Sequence, residues 1–204
     1  MSAQVLSVSL PSEIIYVSGT VNGTAYTWTL IEGAWTATVE RAADDTYAVA
    51  LTAVTAAGVS TNYALALYYG LLSLITDRTR ADVENETDKG FYNASDLNRV
   101  GAAVEYIAGR FAALGYDCPV TVKKDWLTSD APTASQLETY RKNIVTLRSR
   151  IAVMASTPDA PASMAGLDYV KANNIEQILL DLDALIDNIT KSWCFSGELY
   201  AGEV

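Results

Sequence analysis

The sequence predicts an α+β chain with several domains: an N-terminal β-sandwich, a three-helix bundle and an extended C-terminal tail. Apolar and polar residues alternate in short runs over the first 70 residues, with turn residues between the runs. Three longer segments later in the chain place apolar residues every third or fourth position, the spacing of amphipathic helices. The predicted parts are the sandwich at 1–70, a linker with a short helix at 71–94, the bundle at 95–191 and the tail at 192–204.

The β half is divided into strands by its turn residues. Pro11 ends a first alternating run, and Asn22-Gly23 ends a second that places Ile15, Val17 and Val21 on one face. Asn-Gly is preferred in two-residue hairpins because both central residues of a type I′ turn need positive φ. Further strands are predicted near 26–30, 35–39, 46–53 and 60–68, with a turn at Glu32-Gly33.

The last predicted hairpin carries a recognisable pattern. Asp45, Tyr47, Val49 and Leu51 alternate before a turn at Gly58 and a final strand. This pattern resembles the last hairpin of bacterial immunoglobulin-like modules. The resemblance implies that the sandwich is immunoglobulin-like and that the hydroxyl of Tyr47 ties the preceding loop to the backbone.

Two tryptophans, Trp28 and Trp35, have two interpretations. They could stack on a carbohydrate, or they could fill the sandwich core as alternating aromatic residues do. The alternation of the flanking residues favours the core.

The linker contains a helix start and an acidic run. Thr79 with Asp82 three residues later forms a capping box for a short helix that ends before Gly90. Acids at alternate positions from Asp82 onward suggest calcium, but an EF-hand loop needs glycine and glutamate where this chain has Thr87 and Asn93. An irregular divalent site remains the alternative to a solvated acidic turn, which the pattern favours.

Three helices are predicted, each about 20 residues long. Each carries a stripe of apolar residues along one face, and three such stripes predict a bundle in which they are buried against one another. Asn93 or Ser95 caps the first and Gly115 ends it, Ser135 and Glu138 form a capping box for the second, and Asp168 caps the third. The stripes are Leu97, Val100, Val104, Ile107, Phe111 and Leu114; Leu137, Tyr140, Ile144, Leu147, Ile151 and Met154; and Ile175, Ile178, Leu179, Leu182, Leu185, Ile186 and Ile189. The long loop after the first helix should dock Val120, Val122, Trp126 and Leu127 onto the bundle.

Composition argues against most catalytic chemistries. The chain has no histidine, which removes the commonest general base and zinc ligand, and its net charge of −10 disfavours nucleic-acid binding. The second helix is basic and the third acidic, a pattern expected of complementary neighbours or solvated edges. We therefore expect no enzyme activity, no catalytic residue, no cofactor, no metal and no nucleic-acid partner. The basic residues of the second helix are Arg141, Lys142, Arg148 and Arg150, and the acidic residues of the third are Glu176, Asp181, Asp183 and Asp187.

The cysteines and the apolar segments bear on whether the chain forms a disulfide, is secreted or enters a membrane. Cys118 and Cys194 could pair, but no spacing demands it, and two buried free thiols are the simpler expectation. The N-terminus lacks the basic and apolar regions of a signal peptide. The apolar run at 63–75 is too short to span a bilayer, so no membrane insertion is expected.

The C-terminal segment is the predicted assembly interface. It carries Trp193, Phe195, Leu199 and Tyr200 among glycines, and Leu180 lies off the main stripe of the third helix. So much aromatic surface either folds back on its own domain or adds to a neighbouring subunit, by strand addition for example. The sequence therefore suggests a homo-oligomer.

Several short motifs resemble a known group of proteins. They are Asp77-Arg78-Thr79, the stretch Tyr92-Asn93-Ala94-Ser95-Asp96-Leu97-Asn98-Arg99-Val100, the stretch 168–179 and the tail 195–203. In combination, over residues 75–204, they resemble small structural proteins from the tail and baseplate modules of phages and prophages of Firmicutes. The resemblance implies a non-enzymatic virion component, made in the host cytoplasm, in which Asp96 and Arg99 are structural anchors.

This resemblance sets the functional hypotheses. The first is a tail or baseplate protein that binds copies of itself or other virion proteins and displays the immunoglobulin-like domain, as a spacer or for attachment to a host-surface polysaccharide or protein. The alternatives are a capsid decoration protein and a bacterial surface adhesin. The missing signal peptide and wall anchor count against the adhesin.

Overall fold

The computed structural model describes residues 3–42, 46–69 and 74–197, with side chains described as far as Ser192. Within these residues the chain is mixed α/β, with seven strands in two antiparallel sheets and four α-helices. The strands are Ala3–Val8 (β1), Ile14–Val21 (β2), Thr24–Thr27 (β3), Thr29–Ile31 (β4), Ala34–Glu40 (β5), Thr46–Thr55 (β6) and Ser60–Tyr68 (β7). The helices are Arg80–Glu84 (α1), Ala94–Ala113 (α2), Ala134–Arg148 (α3) and Tyr169–Gly197 (α4).

The chain forms two compact units that do not follow simple sequence order. The sheet unit comprises Met1–Ser73, Phe91–Ala102 and Lys123–Pro132, and the helix unit comprises Leu74–Gly90, Ala103–Val122 and Thr133–Val204. The sheet unit therefore includes two stretches that the sequence assigned to the linker and the helical half. α2 contributes its first half to the sheet unit and its second half to the helix unit.

The strands of the sheet unit fit a β-sandwich, as predicted. One sheet has the order β1-β5-β4 and the other β3-β2-β6-β7. Alternate residues point inward along β6, where Tyr47, Val49, Leu51 and Ala53 are buried and their neighbours are largely exposed. The two sheets thus share one apolar core, to which Leu6 and Val17 also belong.

Both tryptophans of the β half lie in this core. Trp28 is 5% exposed and Trp35 is 7% exposed, and both contact the other buried residues of the two sheets. The core interpretation is confirmed, because rings buried in this way cannot stack on a sugar.

The tight turns follow the local sequence. Asn22 and Gly23 have φ of 50° and 80°, and Glu32 and Gly33 have φ of 50° and 84°. Positive φ at both central residues is the type I′ geometry that the Asn-Gly pair predicted. The Asn22 side chain reinforces the first turn, since its Oδ1 accepts a 2.8 Å hydrogen bond from the Ala48 N–H.

The predicted role of Tyr47 is confirmed, and the predicted phase of β2 is wrong at one residue. The Tyr47 hydroxyl accepts a 3.0 Å hydrogen bond from the Ala42 N–H, five residues upstream. On β2, the sequence placed Ile15 on the same face as Val17 and Val21, which are buried, but Ile15 is 63% exposed and Ile14 is buried instead. The register against β6 shifts between Ile14 and Tyr16, so Ile15 is the extra residue of a β-bulge and the inward face changes there.

The predicted docking of the long loop is wrong for two residues. Leu127 is 6% exposed and belongs to the sandwich core, and the equally buried Trp126 lies in the same stretch of the sheet unit. Val120 and Val122 stay with the helix unit. Nothing in the apolar pattern of the loop distinguishes the two destinations.

Helix starts were predicted well, with one exception. The predicted capping box of Thr79 with Asp82 is present, and so is the predicted cap at Asp168. Asn93 caps α2, because its Oδ1 accepts from the Ser95 N–H while the Asp96 carboxylate accepts from the Asn93 N–H, both at 2.8 Å. Gly115, with φ of 83°, follows the end of α2.

The exception is α3, and α4 differs in length. Thr133 caps α3 through a reciprocal pair with Gln136, in place of the predicted pair of Ser135 with Glu138 two residues later. α3 ends at Arg148, so the last two members of its predicted stripe, Ile151 and Met154, lie beyond it. α4 continues to Gly197, which makes residues 192–197 helical where an extended tail was predicted.

Candidate functional site

The predicted assembly residues fall mostly outside the described side chains. Leu180 is half-buried on α4. Trp193 and Phe195 lie in the helical backbone of α4, but their side chains are outside the described set, as is that of Cys194. Leu199 and Tyr200 lie outside the described residues. The assembly hypothesis therefore stays a prediction, in which the first residues of the predicted tail belong to α4.

Arginines in α3 and just after it bind residues before, within and after the helix. The Arg148 guanidinium donates to the carbonyl of Pro158 at 2.7 Å and contacts the Asp159 carboxylate at 2.8 Å. Arg141 pairs with Glu138, one turn earlier on the same helix, at 2.7 Å. Arg150 donates to the thiol of Cys118, which is buried and free.

The acids of α4 pair with residues outside α3 in place of the expected complementarity of the two helices, and the half-exposed Asp187 fits the other expectation, a solvated edge. Arg110 on α2 binds Asp183 and Asp187, and the contact with Asp187 is 2.5 Å. Glu176 is fully buried and accepts a 2.8 Å hydrogen bond from Arg78, which precedes α1. Glu176 also accepts from the Ile75 N–H at 2.6 Å, so this acid fixes the start of the helix unit to α4.

Asp82 in the acidic run, and Asp77 shortly before it, bind neighbouring side chains. The Lys89 ammonium lies 2.8 Å from Asp77 and its hydrogen bond lowers the pKa of that carboxyl. Hydrogen bonds from Thr79 lower the pKa of Asp82. Among the described residues, no group of three or more His, Cys, Asp or Glu side chains could hold a metal ion.

The stretch that contains Asp96 and Arg99 is buried on every side. All residues from Asp96 to Val104 are buried, and Asp96 forms an ion pair with Arg99 whose partners are 4% and 5% exposed. The Arg99 guanidinium also lies 5.9 Å from the ring centre of Tyr68, at the end of β7. Both residues therefore act as packing anchors of the sheet unit.

Asn98 connects three parts of the sheet unit. Its Nδ2 donates to the Ala66 carbonyl of β7 and to the Trp126 carbonyl, both at 3.0 Å, and its Oδ1 accepts from the Trp126 N–H at 2.6 Å. The side chain is fully buried. We call residues 123–127 the strap, because they lie across the sandwich and insert Leu127 into its core. The role of Asn98 could not be predicted from sequence, because nothing local distinguishes it from a solvated helical asparagine.

The charged residues of the strap are held at the end of β1. The Asp125 carboxylate accepts a 2.5 Å hydrogen bond from the Ser9 N–H and lies 2.8 Å from the Lys123 ammonium. Burial alone would raise the pKa of Asp125, but the Lys123 and Ser9 donors outweigh it and lower that pKa below its usual value. Lys124 places its ammonium 5.0 Å from the ring centre of Tyr69.

The outer face of the four-stranded sheet carries an open groove of about 570 Å³. Outward residues of three strands line it, among them Ser18, Thr20, Thr52 and Asn62, and Thr128 contributes from beyond the strap. Its lining carries no charged group at neutral pH, so it offers hydrogen bonds to a neutral polar molecule and no acid–base pair. Sequence alternation identifies these outward residues but not the wall at Thr128.

Exposed apolar residues collect at one end of the same sheet. Ile15, Tyr16 and Val59 are 58–63% exposed. Ile14 pairs with Thr55, whose N–H donates to the Val59 carbonyl, so the start of β2 adjoins the turn between β6 and β7. The bulge at Ile15 turns two successive apolar residues outward, which the alternation pattern did not predict.

The comparisons with known proteins leave the chain without an assigned family. No family model matches it, and no curated protein and no solved structure is significantly similar to it. Within the described ranges, no helix combines the length and the apolar character needed to cross a membrane. The function must therefore be argued from the sequence motifs and the two units themselves.

Proposed function

We propose that this protein is a non-enzymatic structural component of a phage-type virion, from the tail or baseplate, that displays an immunoglobulin-like domain. The motif set over residues 75–204 motivates the virion assignment, since it resembles tail and baseplate proteins of Firmicutes phages. In this proposal the helix unit assembles with other copies or other virion proteins. The sheet unit is the displayed part, as a spacer or for attachment to a host polysaccharide or protein.

The strand order supports an immunoglobulin-like sandwich. The sheet β3-β2-β6-β7 corresponds to strands C′, C, F and G of that fold, and β1-β5-β4 corresponds to B, E and D. Tyr47 lies near the start of the strand that corresponds to F and binds the backbone just upstream, the position of a tyrosine corner. In the described residues, no strand corresponds to strand A.

The contacts of the helix unit support a three-helix bundle made of α3, α4 and the second half of α2. α3 packs against α4, and Arg110 of α2 bridges two acids one turn apart on α4. The apolar stripes are buried at Ile107, Ile144 and Ile178. Helices with buried stripes and ion pairs at their edges are typical of bundles.

The use of charge supports a structural role over a catalytic one. The most buried ionised groups, Arg78 with Glu176 and Asp96 with Arg99, are paired with each other. Catalytic acids and bases need access to a substrate in a cleft. The groove on the four-stranded sheet, by contrast, is lined by neutral side chains.

The tyrosine corner within this strand order is the observation on which the displayed-domain part of the proposal rests, and particle labelling tests the whole. Antibodies against the purified protein would be applied to particles released from the source strain and viewed by immunogold electron microscopy. We expect label at the tail or its tip. Label on heads would favour a decoration protein, label on cells alone would favour an adhesin, and unlabelled particles and cells would reject the proposal.

Assembly through the C-terminal segment has its own test. Deleting residues 198–204 or changing Leu199 and Tyr200 to serine should lower the mass measured by light scattering. Val170→Ser is the matched control, because Val170 is an exposed apolar residue, 48% accessible, near the start of α4. An unchanged mass in the deletion variant would remove this segment from the proposed interface.

A further inference from the structure

Each sheet has two edge strands, β1 and β4 in one and β3 and β7 in the other, and their placement defines two open sides of the sandwich. β3 and β4 are joined through Trp28 alone, so these two edge strands meet on one side. The remaining edges, β1 and β7, therefore lie on the opposite side. The Tyr69 hydroxyl, immediately after β7, donates to the Val5 carbonyl of β1 at 3.3 Å, in agreement with this placement.

The outward backbone groups on this side bind side chains. Val5 accepts from Tyr69, the Ser9 N–H donates to Asp125, and the Ala66 carbonyl accepts from Asn98. Along an edge strand, the backbone N–H and C=O groups of one residue point toward the paired strand, and those of the next residue point away from it. The N–H of Ser7, midway between Val5 and Ser9, therefore also points away from β5.

β1 itself carries no residue that deters strand addition. Its sequence, AQVLSV, contains no charge and no proline, which are the usual protections of an edge strand. Protection comes from outside the strand: Tyr69 binds the Val5 carbonyl within β1, and the strap binds Ser9 just past its end. Leu127 occupies the core and Asp125 binds the Ser9 N–H just past the end of β1. Lys124 brings positive charge to the same side, whereas the charge of Lys123 is offset by Asp125.

The strap is also closely packed against α2. A Cβ placed on Gly101 would lie 2.8 Å from the Lys123 carbonyl oxygen, so only glycine allows this approach without a shift of the backbone. Trp126 is held at both its N–H and its carbonyl by Asn98. The strap is thus seated by several independent contacts within the sheet unit.

We propose that the strap is a built-in edge guard: seated, it closes the β1 side of the sandwich, and displaced, it leaves β1 open to antiparallel pairing with β1 of a second copy. Such pairing is isologous, because the same strand serves both partners about a two-fold axis. It would join two three-stranded sheets into one continuous sheet. This guard is independent of the virion assignment, so each can fail without the other.

The double variant Asp125→Ala, Leu127→Ala tests the guard in the full chain. Hydrogen exchange should quicken by about tenfold or more at β1 and β7, and change less in the β4–β5 hairpin. Light scattering should show a mass that rises with concentration toward twice that of the unmodified chain measured alongside. If the double variant does not fold, Asp125→Ala alone, which leaves the core intact, decides through the same exchange measurement.

Ser7→Pro is the matched control for the mode of association. Proline removes an outward N–H and is tolerated on an edge strand, so it should leave the unmodified chain unchanged. Added to the double variant, it should abolish the extra mass while the fast exchange persists. Association that survives Ser7→Pro, or unchanged exchange at β1 and β7 in the strap variants, would overturn the proposal.

Discussion

The substitution Asn98→Ala is the sharpest perturbation of the sheet unit. Asn98 is 0% exposed and makes three hydrogen bonds, two with Trp126 and one with Ala66. Alanine removes all three and leaves one buried N–H and two buried carbonyls without this partner. It removes no charge and lies within a helix, where alanine is favourable.

The expected cost follows from these contacts. A buried polar group left unsatisfied costs about 1–3 kcal/mol, and carbonyls tolerate this better than N–H groups. We therefore expect a loss of about 3–5 kcal/mol in the free energy of unfolding of the sheet unit. With a urea dependence of about 2 kcal/mol per molar, the unfolding midpoint should fall by about 2 M.

Tryptophan fluorescence during urea unfolding is the appropriate assay. Of the four tryptophans, Trp28, Trp35 and Trp126 lie in the sheet unit, so the signal mainly reports this unit. Asn62→Ala is the matched control, since Asn62 is exposed on β7 and shares one hydrogen bond with Thr52. If Asn98→Ala and Asn62→Ala shift the midpoint equally, Asn98 does not join the strap to β7 in the way described.

Two further predictions concern the same unit. Tyr47→Phe should cost about 1 kcal/mol, because it removes the acceptor for the Ala42 N–H and little else, whereas Tyr16→Phe, with its ring largely in solvent, should leave the thermal midpoint unchanged. Because the pKa of Asp125 is lowered in the folded state, its contribution is present above the unfolded pKa and is lost as the pH falls through the folded pKa. The protection of β1 amides, expressed relative to the intrinsic exchange rate at each pH, should therefore fall on acidification below about pH 4, and Asp125→Asn should remove that fall while the unmodified chain keeps it.

Local features of the fold could be predicted from sequence. Asn22-Gly23 and the Thr79 capping box are set by the conformational preferences of two to four residues, so no distant contact is needed to recognise them. The hydrogen bond of Tyr47 also spans only five residues. These features can therefore be recognised without knowledge of the rest of the chain.

Features that depend on distant contacts could not be predicted in this way. Leu127 has the same apolar character whether it packs on helices or on strands, and its destination is decided by the vacant side of the sandwich. The bulge at Ile15 exchanges the inner residue for its neighbour without changing composition. Arg110 pairs with acids 73 and 77 residues away, a choice that no local pattern specifies.

The candidate surfaces also contain some features that local sequence predicts and others that depend on distant contacts. The outward hydroxyl residues of the groove follow from strand alternation, whereas the wall at Thr128 depends on the path of the strap. The apolar patch at Ile15, Tyr16 and Val59 depends on the bulge. Sequence could thus identify which residues face outward on regular strands, but not where a distant segment covers them.

The central structural claim is that three separate stretches of chain build the sheet unit, and a fragment experiment tests it most directly. Residues 1–73 would be produced alone and examined by ¹H–¹⁵N correlation NMR, before and after addition of a chain comprising residues 91–132. We expect poorly dispersed signals from the fragment alone and a dispersed β-sheet spectrum after the addition. A fully dispersed spectrum from residues 1–73 alone, unchanged by the second chain, would contradict the account.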